Sequence, residues 1–247
     1  MTLHAGGFDA FERLLYLFDS RILTLTHEIM PIRVGVISAK GGCGKSTIAT
    51  NVARAVQLDG NDVAIIDTDP QRTATLWGSH QPEGYNLPVK HVEDVKGDSL
   101  YERLCTASEG TRFAFIDGSA KIDDGTGAAV RASDAVLIPV QPTPADTWGS
   151  RSVVDVVRKT GTKAALVISR QIVGTNLASE VAEGLEDYGL PIFEHRTSQR
   201  VAYAESMFEG KTVLDVSGAD KAAREIQGIA SELAQILTDQ WATDSAT

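Results

Sequence analysis

Cysteine is scarce: 247 residues contain two, Cys43 and Cys105, in no paired or ligand-spaced pattern. That excludes a disulfide framework and a cysteine-held metal cluster, and it suits a reducing cytoplasm. No apolar run approaches the roughly 18 residues of a membrane-spanning helix. The start lacks the basic segment and small-residue cleavage site of a secretory leader. Cations are also in deficit. Lys and Arg total 23 against 33 Asp and Glu, a net charge of -10. Such a surface argues against a protein that coats nucleic acid all over, while leaving room for a local basic patch. What remains is a chain with 43% hydrophobic residues, enough to bury one full core as a single α/β domain or two small ones.

From residue 31 to 240 the pattern alternates between short apolar runs and helical spacing. Strands are expected at Ile32 to Ser38, Asp62 to Asp67, Phe113 to Asp117, Ala135 to Val140 and Ala164 to Ser169, with a shorter candidate at Pro191 to Phe193. Helices are expected at Thr47 to Leu58, 145–159, 176–187, 199–208 and 218–240. Continuously apolar strands separated by helices predict a doubly wound, mostly parallel sheet with helices on both faces. The stretch 78–88, with its glycine and proline residues, reads as a connection. Residues 1–29 stand apart as an extension before a domain spanning 30–247. Phe8, Phe11, Leu15, Phe18, Ile22 and Leu25 recur at helical spacing there, which predicts an amphipathic helix. Its polar face carries Asp9, Glu12, Asp19 and Glu28 beside Arg13 and Arg21, a poor match to a membrane surface.

The strongest signal is Lys40-Gly41-Gly42-Cys43-Gly44-Lys45-Ser46-Thr47, placed between an expected strand and an expected helix. Glycines let backbone N–H groups wrap phosphate oxygens, and the helix N-terminus favours an anion. Lys45 is placed to reach the β and γ phosphates of a nucleotide, and Ser46 to offer its hydroxyl to Mg²⁺. The ordinary G-x-x-x-x-G-K-[ST] pattern fails, because Ala39 stands where its first glycine belongs. Lys40 and two glycines follow instead. Carboxylates end two other strands. Asp67 and Asp69, in Asp67-Thr68-Asp69-Pro70-Gln71, fall on one side by period two. Asp117 closes Phe113-Ala114-Phe115-Ile116, the Walker B form, where an aspartate holds Mg²⁺ through water. Strand carboxyl ends are where open α/β sheets bind ligands.

The K-G-G-x-G-K-[ST] loop resembles the deviant Walker A motif of the ParA/MinD superfamily, and the likeness extends over about residues 31–240. Within it the chain is similar to the short, ParF-like plasmid-partition group. Ala132 to Pro144, Leu76-Trp77 and Thr197-Ser198-Gln199-Arg200-Val201-Ala202-Tyr203 carry that similarity. The resemblance implies a slow ATPase with ATP and Mg²⁺ as cofactors. Lys40 would reach the nucleotide of a partner protomer, Asp69 would orient the attacking water, and Asp67 would support the loop and the Mg²⁺ water shell. Pro142 to Pro144 would pack against the facing protomer, and Arg170 would contact the nucleotide base. The family's switch is an ATP-bound homodimer that binds non-specific DNA and is released when a ParB-like or other adaptor stimulates hydrolysis. Arg196, Arg200, Lys211, Lys221 and Arg224 are the candidate DNA contacts, placing the protein in the cytoplasm on the nucleoid.

The cargo stays open between a plasmid, a chromosome and a protein assembly such as a carboxysome or chemoreceptor cluster. A P-loop metabolic ligase is a further alternative. Relatives often continue with Asp-x-Pro-Pro, whereas this chain reads Asp117-Gly118-Ser119-Ala120. A membrane-bound oscillator is disfavoured, because the last expected helix carries Glu225, Glu232 and Asp239.

Overall fold

The computed structural model describes residues 30–93, 97–120 and 124–244, with side chains to residue 238. The helix expected within residues 1–29 lies outside the described residues. Six strands form one all-parallel sheet in the order β3-β2-β4-β1-β5-β6. They are β1 (Ile32–Val36), β2 (Val63–Asp67), β3 (Val89–His91), β4 (Phe113–Asp117), β5 (Ala135–Val140) and β6 (Lys163–Ile168). The helices are α1 (Lys45–Leu58), α2 (Thr73–Ser79), α3 (Asp98–Ser108), α4 (Asp124–Arg131), α5 (Pro144–Thr160), α6 (Leu177–Leu185), α7 (Val201–Phe208) and α8 (Asp220–Asp244). The segment 191–193 is not a full strand. It contributes one parallel bridge, from Ile192 to Leu166 on the edge strand β6.

The inner strands are mostly apolar because both faces of the sheet are covered, with Arg33 in β1 and the closing Asp67 and Asp117 as polar exceptions. Period-two alternation sorts the side chains. Val34, Val63, Ile65, Phe113, Phe115 and Leu137 enter a core with α1, α2, α7 and α8. Ile66, Ala114, Ile116, Val136 and Ile138 enter a second core with α3, α4, α5 and α6. The same count carries Asp67 and Asp117 onto the first face, towards α1. Pro139 is tolerated within β5 because of where β1 stops. The Leu137 carbonyl turns to β1, accepting from the Ile37 N–H at 3.0 Å, and β1 pairs no further than Leu137. The nitrogen of Pro139 points to that side, past the end of β1, so no ladder bond is lost.

The turn after α7 docks on the end of α2. The Trp77 indole donates to the Lys211 carbonyl at 2.9 Å. Gly210 has φ +64°, and a Cβ there would lie 2.1 Å from the His80 carbonyl oxygen. Gly210→Ala is therefore expected to destabilise the fold by roughly 2 kcal/mol or more, through left-handed strain and a backbone clash. Urea unfolding checks this, and a wild-type midpoint would contradict the docked turn.

Candidate functional site

β1 sits between β4 and β5, where the strand order reverses, and such a switch point opens a crevice at the strand carboxyl ends. A pocket of about 550 Å³ occupies this crevice, lined by Gly41, Gly42, Gly44, Lys45, Ser46 and Thr47. Its far wall is Asp69, Pro70, Arg170, Ser198, Arg200 and Tyr203. Gly44 caps α1 in the left-handed conformation, φ 92°, without a side-chain cap. The first N–H groups of α1 are thus left facing the loop, the arrangement that binds phosphate. Gly42 is also left-handed, φ +76°, and no atom lies within 4 Å of where a Cβ on Gly41 or Gly42 would stand.

The loop is fixed by its carbonyls. The Ser169 hydroxyl donates to the Cys43 carbonyl at 2.7 Å. Arg170 and Gln141 donate to the Gly42 carbonyl at 2.9 and 2.6 Å. Arg170 itself holds φ 54°, and Arg72, which precedes α2, holds φ 55°. Two non-glycine residues in the left-handed region flank one pocket, a distribution typical of functional sites. The buried Cys43 thiol donates to the Lys40 carbonyl at 3.2 Å, a packing role.

The two lysines diverge. Lys45 is buried, lines the pocket and donates to the Lys40 carbonyl at 3.0 Å. Lys40 turns to the start of α5, where its ammonium meets the Asp146 carboxylate at 2.5 Å. Its side chain is 45% exposed.

The carboxylates diverge as well. Asp67 is fully engaged by the chain. It accepts from the Asp69 N–H at 3.0 Å and from the Thr75 N–H and hydroxyl, both at 2.8 Å. It pins the turn into α2 and thereby places Asp69, which lines the pocket. Asp117 is fully buried and neither of its oxygens has a hydrogen-bond partner. Burial pushes its carboxyl up to about 7. The nearby Ser46 hydroxyl and Lys45 pull the other way, while Asp67 adds to the rise. A buried carboxylate with empty lone pairs, facing a serine hydroxyl, fits a hydrated divalent cation. No ready-made cluster of three or more His, Cys, Asp or Glu occurs among the described residues, so phosphate oxygens and water would complete the shell.

The cationic candidates separate into two groups. Arg200, Lys221 and Arg224 border a shallow depression at the start of α8. Lys221 and Arg224 are exposed, whereas Arg200 is committed to Glu225 through Nε at 2.8 Å and Nη2 at 2.6 Å. Glu225 also accepts from the Ser198 N–H and hydroxyl and from the Tyr203 hydroxyl. Burial pushes the Glu225 carboxyl up, but the bonds from Arg200, Ser198 and Tyr203 more than offset it and hold it below its ordinary value. Lys211 pairs with Glu209 at 2.8 Å, and Arg196 is half-buried on the loop before α7. Near Lys40, Pro142 is buried, while Pro144 and Trp148 are exposed, four residues apart on one side of α5.

Sequence reasoning missed Asp146, Thr75, Ser169 and Glu225. Asp146 had a readable signal. Thr143-Pro144-Ala145-Asp146 has capping-box spacing with proline at the first helical position, and Thr143 does accept from the Asp146 N–H.

The family model for the CobQ/CobB/MinD/ParA nucleotide binding domain matches residues 34–213. The chain belongs to this family. The superfamily resemblance and the α/β architecture read from the sequence both hold. Among curated relatives, a maintenance of carboxysome distribution protein A from Halothiobacillus neapolitanus is 28% identical, covering 83% of this chain and 94% of the relative. The chromosome-partitioning ATPase Soj of Thermus thermophilus is 24% identical, covering 81% and 94%. Among solved structures, the ATP complex of a Cyanothece McdA variant has a TM-score of 0.68 at 17% identity, covering 83% of this chain and 96% of that one. A putative plasmid partition protein from Borrelia burgdorferi B31 bound to AMPPNP scores 0.67 at 18% identity, covering 85% and 99%. At these identities the structures share the fold of this CobQ/CobB/MinD/ParA member. Among the described residues, no helix is long and apolar enough to cross a membrane.

Proposed function

We propose that this protein is an ATP-hydrolysing switch that closes into a homodimer around Mg-ATP, binds DNA without sequence preference, and lets go after hydrolysis. The observation that carries the reading is the divergence of the two loop lysines. Lys45 enters its own pocket, while Lys40 is not among the pocket's lining residues and sits half-exposed against Asp146 in the first turn of α5. A cation aimed outward from a phosphate loop is useful to a nucleotide held by a second copy.

In this reading the N–H groups of Gly41 to Thr47 and the Lys45 ammonium hold the phosphates, and Arg170 borders the base. Ser46 and Asp117 hold Mg²⁺, with Asp67 acting through the water shell because its oxygens already serve the α2 turn. The metal supplies charge neutralisation on the phosphates. Asp69 orients the attacking water from the pocket wall. Pro144 and Trp148 belong to the surface that the second copy covers, whereas Pro142, expected there from the sequence, is already buried within its own chain and is left out of it.

Dimerisation would bring two sets of Lys221 and Arg224 onto one assembly, giving the acidic chain the local patch its net charge of -10 denies a monomer. Arg196, Lys211 and, from within its ion pair, Arg200 would add to it. A ParB-like or other adaptor would stimulate hydrolysis, and repeated cycles on the nucleoid in the cytoplasm would segregate a plasmid or chromosome. A protein cargo is the second reading, favoured by relatives named for carboxysome distribution.

The experiment is binding to a random-sequence duplex at fixed salt, first with Mg-ATP and then with Mg-ADP. Binding with ATP only, weakening as salt rises, is expected. Equal binding in both states, or none, would remove the DNA switch.

A further inference from the structure

We infer that Asp146 is the positioning residue that aims Lys40 out of its own nucleotide pocket and towards a second copy of this chain. The inference rests on the dimerising ATPase reading above and assigns a residue to it that the loop motif does not contain.

Four observations place Asp146 in this role. Its side chain is 4% exposed, at the first turn of α5, and its Oδ2 accepts from the Lys40 ammonium at 2.5 Å. The Thr143 hydroxyl donates to the same oxygen at 2.5 Å, and Thr143 accepts from the Asp146 N–H in return, so the carboxylate cannot swing away. The other oxygen, Oδ1, is buried with no hydrogen-bond partner, which leaves Lys40 as the cation this carboxylate is bonded to among the described residues. The backbone under Lys40 is held independently of Asp146, with the Gly42 carbonyl bound by Gln141 and Arg170 and the Lys40 carbonyl by Lys45.

Physical chemistry gives the pair a direction. A helix N-terminus favours a carboxylate in its first turn, so α5 supports the charge that Lys40 meets. An ammonium has three hydrogens. One is spent on Asp146, the side chain is 45% exposed, and Lys40 is not among the residues lining the pocket that Lys45 fills, so the other two are left for a partner outside it. A free lysine loses rotamer entropy when fixed. Here that cost is met before a second copy arrives, which is how preorganised groups raise turnover. Asp146 touches neither nucleotide nor metal, and it acts through Lys40.

The test is steady-state ATP hydrolysis by the full chain, at a protein concentration where wild type is dimeric with Mg-ATP. Asp146→Asn keeps the size and the helix cap but removes the charge. It is expected to lower kcat about tenfold while the KM for ATP stays within about twofold. Lys40→Ala should do the same, and the double variant should fall no lower than either single one. An unchanged kcat with a lower melting midpoint would make Asp146 only a cap. A raised kcat would make the pair a brake, and additive losses would separate the two residues. Each of these overturns the inference. Should Asp146→Asn fail to fold, Thr143→Val removes the other bond to Oδ2 and should give a smaller fall in kcat; no fall overturns the inference too. A wild type that neither dimerises nor hydrolyses ATP would instead remove the ATPase reading, and the inference with it.

Discussion

Lys45→Ala is expected to weaken Mg-ATP binding a hundredfold or more, a loss of roughly 3 kcal/mol for removing one member of a buried charge pair. Lys45 is only 6% exposed. Its ammonium is held at the pocket floor by the Lys40 carbonyl, and the carbonyl is a neutral partner that leaves the positive charge for an anion. Half-buried Asp69 lines the same pocket and buried Asp117 lies near enough to feel the Lys45 charge, so an alanine would leave phosphates close to carboxylates without that cation. Titration calorimetry of the purified variant decides it. Affinity near that of wild type would sink the phosphate-loop assignment.

The second large effect belongs to Asp69→Ala. Turnover should drop by about two to four orders of magnitude, the range for a group that orients or deprotonates a nucleophile, while ATP still binds. The geometry separates Asp69 from its neighbour. Both oxygens of Asp67 are consumed by the Asp69 N–H and by Thr75, whereas Asp69 accepts from the Gln71 N–H at 2.9 Å and still lines the pocket. The result should be a long-lived ATP-bound dimer. Phosphate release in a single turnover reports it directly, and a wild-type rate would move the water-orienting role to another residue.

Much of this was legible in the residues, for physical reasons that also mark where reading stopped. Strands β1, β2, β4, β5 and β6 announce themselves because a parallel strand covered on both faces is a nearly continuous apolar run, interrupted here by Arg33, by Lys163 at the start of β6 and by the closing Asp67 and Asp117. β3 was invisible. It is three residues long on the sheet edge, none of them buried, and Lys90 within it is exposed. Helix α4 was missed because Asp124-Gly125-Thr126-Gly127 opens it with two glycines, which local propensity scores against a helix. α2 is a seven-residue helix behind a left-handed Arg72, and its support is the Asp67 carboxylate, eight residues before Thr75, rather than a cap of its own.

At the site, the glycines, Lys45, Ser46 and the strand-ending carboxylates could be read because a phosphate loop is a contiguous motif. The partners that orient them could not. Asp146 is 106 residues from Lys40, Ser169 is 126 from Cys43, and Glu225 is 25 from Arg200. Those pairings exist only once β5 lies beside β1, β6 lies beside β5, and α8 packs near α7. Arg200 shows the consequence. In sequence it is one more cation beside a helix, whereas in the fold it is locked to Glu225 in the pocket wall, leaving Lys221 and Arg224 as the exposed charges nearby.

The most direct measurement is the mass of the full chain in solution, by sedimentation velocity, with Mg-ATP and then with Mg-ADP. The outward lysine predicts a dimer with ATP and a monomer with ADP. One mass in both states would contradict the nucleotide-gated dimer on which the proposed function stands.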